Sequence, residues 1–229
     1  MSEWWTYRLS DFLMFSARTY RRLFELYNAD TWPLHLVVLG LASALLLAWA
    51  RGRTGALPAL CALLAAGWLW VAWAFHLRRY ATINWAATWF AAAFAIQGAL
   101  MLLLALRARL RPGSGNARAR AVGLGLLLFA IAGQPLLARL LGRPWPQAEV
   151  LGLAPDPTAI GTLGLLLLLR PGEVARSMPT RALLLAPWAI PLLWCVIGGA
   201  TLWAMQAPEA ALMPCAGLLA AVVAMRTRR

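Results

Sequence analysis

The 229-residue chain is 62% apolar, only 13% charged, and has a mean hydropathy of +0.68, which excludes a soluble globular domain, a disordered chain and a coiled coil. The net charge of +13 comes from 21 arginines, no lysine and eight acids, but the arginines fall between apolar runs, where they set topology and meet anionic headgroups rather than nucleic acid. What remains is an all-α polytopic transmembrane helix bundle, with the lipid bilayer as its first partner.

Residues 1–31 form a polar and aromatic N-terminal segment that does not read as a signal peptide, because Glu3 and Asp11 precede any apolar run. Tyr20, Leu23, Phe24 and Tyr27 recur at helical spacing, with Arg18, Arg21, Arg22 and Glu25 mostly on other faces. That pattern predicts a short interfacial amphipathic helix. Asn28 is expected to end it, with Asp30 or Thr31 capping the next helix ahead of Pro33.

The transmembrane domain, 32–229, follows as seven apolar segments at 32–50, 56–76, 82–106, 121–141, 158–170, 182–204 and 208–225. Six are long enough for a hydrocarbon core that needs roughly 20 residues. The fifth runs only from Thr158 to Arg170, because Pro155 and Pro157 are expected to stop it at its N-terminus. Gly161, Gly164, Gly198 and Gly199 allow neighbouring helices to approach closely.

With seven passes, 13 arginines fall on one side and eight on the other. The Arg-rich side is then cytoplasmic, placing the N-terminus outside and the C-terminus inside a bacterial inner membrane. Whether 158–170 crosses decides that topology. Trp32, Trp49, Trp73, Trp85, Trp145 and Trp203 lie near segment ends, at headgroup level. Trp188 and Trp194 lie deeper and read as packing residues, as does Gln97 in mid-span.

Catalytic signatures are lacking: there is no nucleophile elbow, phosphate loop, zinc motif or dinucleotide fingerprint, and no cofactor or metal is implied. The topology does gather polar groups on the outer side. His35, His76, Asn84, Gln134, Arg143, Asp156 and Thr158 are the candidate ligand-binding residues, with Asn28, Asp30 and Glu149 in the same zone. The break before segment five is the strongest lead. Irregular backbone at membrane depth needs protein or a wet cavity around it. Free N–H groups from Thr158 onward are expected to face that cavity, as at the broken helices of transporters. Cys195 and Cys215 are placed at similar depths on consecutive spans.

Several stretches together carry a resemblance: LSDFLMFSARTYRRLFELYN with TWP, RYATINWAATWFAAAFAIQG, PDPTAIGTLGLLLL and IPLLWCVIGGAT. They resemble a family of bacterial polytopic integral membrane proteins known only as a domain of unknown function, whose members are sometimes loosely labelled transporter permeases. In that family the loop before the fifth segment often reads Gly-His-x-Tyr-Pro and then Pro-Cys-Pro-Thr. Here the same places hold Gly142, Arg143, Pro144, Trp145, Pro146 and Pro155, Asp156, Pro157, Thr158. The scaffold residues match, while Arg143 and Asp156 replace the reactive His and Cys, so an Arg143–Asp156 pair is expected in place of a soft-metal or thiol site.

The leading expectation is small-solute or ion binding and transport through an outer cavity where Asp156, Gln134 and His76 converge. A membrane enzyme with His35 or His76 as base needs a nucleophile or metal beside a histidine. A structural or assembly partner presents the Trp-rich outer surface to another membrane protein.

Overall fold

The computed structural model describes residues 14–107, 111–112, 116–170 and 185–228. Eight helical rods account for nearly all of them. They are α1 (Ala17–Thr31), α2 (Leu34–Ala50), α3 (Ala56–Thr82), α4 (Ala87–Arg107), α5 (Ala117–Leu140), α6 (Pro155–Leu168), α7 (Ala186–Ala204) and α8 (Leu212–Arg228). Among the described residues the one strand pairing is a two-residue antiparallel ladder, Arg111 opposite Arg170 and Pro112 opposite Leu169.

The short helix is the centre of the molecule. Every residue of α6 from Pro155 to Leu168 is buried, and α3, α5, α7 and α8 all pack against it. A helix apolar on all sides needs partners on all sides, and 14 residues span only about 21 Å. Glycine permits the contact with α5. A Cβ on Gly123 would lie 2.8 Å from the Gly164 carbonyl oxygen, and one on Gly164 would lie 2.8 Å from that of Gly123. Trp68 of α3 reaches the same helix, donating to Thr162 Oγ1 at 2.8 Å.

The prolines do not stop α6 at Thr158, as the sequence suggested; the helix begins at Pro155. The first turn has no intrahelical acceptor for its N–H groups, so the missing donors of Pro155 and Pro157 cost nothing there. Other boundaries also move. Helix α1 continues past Asn28 to Thr31, whose hydroxyl donates back to the Tyr27 carbonyl at 2.8 Å, and no side chain caps α2. Helix α3 outruns its expected end at residue 76 through a π-helical turn at Val71–Leu77, which turns the consecutive residues Ala74, Phe75 and His76 inward.

A second π turn, Phe129–Gly133, precedes Gln134 and Pro135 inside α5. Pro135 cannot donate to an earlier carbonyl, and a widened turn absorbs the mismatch. In α7, Pro191 likewise leaves the Pro187 carbonyl without its i+4 donor. Gln97 of α4 supplies it, donating Nε2–H at 2.9 Å across the interface. Replacing Gln97 with leucine should therefore cost about 1–3 kcal/mol by orphaning that carbonyl. The loss should shrink in a Pro191→Ala background, where an N–H returns; thermal unfolding of the four purified proteins would check it.

Contacts between the loops sort the connections onto two ends. At the Arg-rich end, the Arg111–Arg170 ladder joins the close of α4 to the close of α6, and Arg120 sits over the Trp49 ring. Trp49 is accordingly buried rather than at a lipid interface. At the other end meet the α1–α2 corner, the α3–α4 turn, loop 141–154 and loop 205–211. Exposed Trp32, Trp73, Trp85, Trp89, Trp145 and Trp203 all belong to that end.

Helices α3, α4, α5 and α7 are each long and apolar enough to cross a membrane; α1 and α2, bent by 82°, make a fifth if counted as one broken span. The apolar face of α1 packs on protein: the Phe24 ring lies tilted and the Tyr27 ring edge-on against Phe75, and Tyr20 meets Tyr80 edge-on. The expected contact of this face with lipid is thus replaced by contact with α3. Residues 1–13 of the N-terminal segment lie outside the described residues.

Candidate functional site

Loop 141–154 crosses the Arg-poor end above the start of α6, and its backbone is tied down from several sides. Asn28 donates to the carbonyls of Pro146 and Ala148 at 2.7 and 2.8 Å, and Gln147 donates to Glu25 at 2.7 Å. Tyr27 donates to the Leu153 carbonyl at 2.9 Å while accepting from Trp70 at 2.8 Å. Leu153 precedes the helix, whose first acceptor is the Ala154 carbonyl, so its own carbonyl is satisfied from outside. Gly152 makes the final bend with φ +76°, its Cα so near Gly67 that a Cβ there would sit at 2.6 Å.

The loop closes one wall of a small, partly open cleft. Its lining is Gln134 of α5, Arg143 and Glu149 of the loop, Asp156 of α6, Leu202 of α7, Glu209 of the following loop and Leu212 and Met213 at the start of α8, with Leu137 beside Gln134. It has room for about one water molecule. Asp156 is 5% exposed and accepts from Trp194 Nε1 at 2.8 Å through Oδ1. Gly198 makes space for this pair, since a Cβ there would meet Asp156 Oδ1 at 3.2 Å.

Arg143 does not pair with Asp156. Its guanidinium instead meets Glu209 Oε1 at 2.8 Å, with side-chain exposures of 13% and 8%. The reason is geometric: Asp156 already receives Trp194 within the bundle, whereas loops 141–154 and 205–211 face each other across the cleft. Arg143 Nε and Glu209 Oε2 remain buried without a partner. Burial and the Asp156 charge together push the Glu149 carboxyl well above the ordinary carboxylate range, with Arg143 opposing them.

Of the candidates read from sequence, the cleft gathers Asp156, Gln134 and Arg143. His76 is one ring away: it is fully buried, its centroid lies 4.4 Å from Phe94 and 5.3 Å from Trp194, and neither ring nitrogen has a partner. His35 is engaged by Asn28 Oδ1 at 3.1 Å, and Asn84 Oδ1 caps the turn by accepting from the Ala86 N–H at 3.0 Å. Thr158 is internal too. Its hydroxyl accepts from Gly152 N–H and donates to the Ala154 carbonyl, at 2.8 and 2.6 Å, and its N–H also turns to Ala154. The expected free amide of Thr158 is therefore spent inside the loop–helix junction.

Sequence reasoning misses as ligands two residues of the lining, Glu149 and Glu209, and Trp194, which holds Asp156 from beside it. Glu209 carried a signal, an acid in a short loop without arginine. Trp194 carried a weaker one, an indole N–H deep in an apolar span, which requires an acceptor. Cys195 and Cys215 are both free thiols, one buried and one exposed. No group of three metal-binding side chains forms among the described residues.

A bundle of apolar helices around a buried half-length helix, with a carboxylate-lined cleft at one end, is the class this structure defines. The chain belongs to the family of unknown function DUF6064, which it matches over residues 17–229. No curated protein and no solved structure matches it.

Proposed function

We propose that this is a multi-pass protein of a bacterial inner membrane, with seven segments, α2 to α8, of which α6 is half-length. Its Arg-rich end faces the cytoplasm and its Trp-rich end faces outward. We further propose that it binds a small ion in the outer cleft above α6, as a step in transport. Exposed Leu36, Val37, Leu41, Ile96, Val196 and Leu218 supply the lipid-facing surface this reading needs. The carrying observation is the cleft itself, whose lining includes three carboxylates and one guanidinium and which has room for about one water molecule. That charge balance favours a cation, and that size favours a single ion over an organic solute. His35 and His76 give less support to base catalysis, one being engaged by Asn28 and the other enclosed by aromatic rings.

The purified chain in vesicles of phosphatidylethanolamine and phosphatidylglycerol, loaded with dyes for protons, sodium and potassium, tests this reading. An imposed ion gradient should dissipate faster than in protein-free vesicles. Asp156→Asn should slow it at least tenfold, because the amide oxygen still accepts from Trp194 while the charge is gone. Rates equal to those of empty vesicles for all three ions would reject transport.

A further inference from the structure

Resting on the ion-binding reading above, we propose that the ion is a proton, shared between the carboxyl groups of Glu149 and Asp156. The charges facing the cleft come from every element around it. Loop 141–154 gives Arg143 and Glu149, α6 gives Asp156, and loop 205–211 gives Glu209. Tyr20 of α1, Tyr80 of α3 and Cys195 of α7 lie within electrostatic reach, while α7 and α8 otherwise add apolar lining beside the Trp194 N–H. Arg143 and Glu209 neutralise one another directly. Glu149 and Asp156 are left as two carboxylates with no cation of their own, and like charges in a poorly solvated site do not both stay ionised.

The hydrogen bonds assign the two roles. Asp156 Oδ1 already accepts from the Trp194 N–H. Glu149 has no hydrogen-bond donor among the described residues, so it is the group that takes the proton. Two further features point to an occupant. Gln134 is 6% exposed, lines the cleft and has no hydrogen-bond partner among the described residues. The second oxygen of Asp156 is equally unpartnered there. A single water beside the acid pair fits both, whereas a multivalent metal does not fit, since no three ligands converge among the described residues. The binding step is a simple equilibrium: one proton from the open side of the cleft joins one Glu149 oxygen, and no other bond changes.

Infrared difference spectra of the purified chain in lipid nanodiscs, titrated from weakly acidic to weakly alkaline pH, test the assignment. A protonated-carboxyl band should persist above the ordinary glutamate range and lose one proton per chain. Carbon-13 labelling of glutamate in the wild-type chain should shift the band, so the result does not depend on a variant folding. Glu149→Gln should abolish it, and Asp156→Asn should lower its midpoint by about one pH unit, since the neighbouring charge is removed. Stability provides a second readout. An acid that keeps its proton in the folded state but loses it when unfolded makes stability fall as pH rises, from the unfolded value up to the folded one. Glu149→Gln should flatten that slope.

A wild-type band that titrates as an ordinary carboxylate, or one unmoved by glutamate labelling, overturns the proposal. If that happens while sodium or ammonium raises the melting temperature, ion binding stands and only the proton assignment falls. A labelled, shifted band in a chain that moves no ion in vesicles leaves the shared proton standing and overturns transport.

Discussion

Gly123→Ala is expected to destabilise the protein by about 1–3 kcal/mol, whereas Gly125→Ala, two residues along the same helix, is expected to be neutral or slightly stabilising. The new methyl at 123 would lie 2.8 Å from the Gly164 carbonyl oxygen, 2.9 Å from Leu168 Cδ2 and 3.1 Å from Leu167 Cβ. The first of these is main chain on a fully buried helix, so the contact is relieved only by moving α5 away from α6. At Gly125 nothing lies within 4 Å of the added carbon. There the change removes only the conformational cost of glycine in a helix, up to about 1 kcal/mol in water. Thermal unfolding of both variants in one detergent separates the two. Equal melting temperatures would mean that α6 does not depend on close approach to α5, contrary to the packing described.

The reciprocal contact at Gly164 shows what sequence could and could not say. A short run holding Gly161 and Gly164 announces a helix that neighbours approach closely. It does not announce which neighbours, because Gly123 is remote in sequence and lies in a segment that reads as an ordinary span. The same limit applies to the site. Asp156, Gln134 and Arg143 were visible as polar residues near segment ends, and topology placed them on one side. Their partners depended on the path of loop 141–154, which Asn28 and Tyr27 fix from more than 100 residues away. Arg143 therefore reads naturally with Asp156, its neighbour in the local motif, and only folding brings Glu209 opposite it. His76 shows the converse. Its segment end was legible, but the π turn that carries it inward among aromatic rings leaves no mark in hydropathy.

The Arg143–Glu209 pair is where a single substitution should do the most damage. With side-chain exposures of 13% and 8%, it is effectively buried, and breaking a buried pair by removing one partner costs about 3–5 kcal/mol. Arg143→Met should cost at least that much, because Glu149, Asp156 and Glu209 would then share one cleft with no cation among them. Glu209→Gln should cost less: it leaves two carboxylates facing one guanidinium, and the amide still accepts a hydrogen bond. The double variant Arg143→Met/Glu209→Leu should recover most of the loss, since replacing both members of a buried pair with apolar groups is often nearly neutral. A double-mutant cycle on melting free energies gives the coupling directly, and about 2 kcal/mol or more is expected between Arg143 and Glu209. The matching cycle between Arg143 and Asp156 should show a much smaller term, because no hydrogen bond joins them and Asp156 is held by Trp194. If the two couplings came out in the opposite order, the local motif would be the true pair and the cleft would be built differently. The order matters for the proton as well. Only when Glu209 occupies Arg143 are Glu149 and Asp156 left to hold one proton between them.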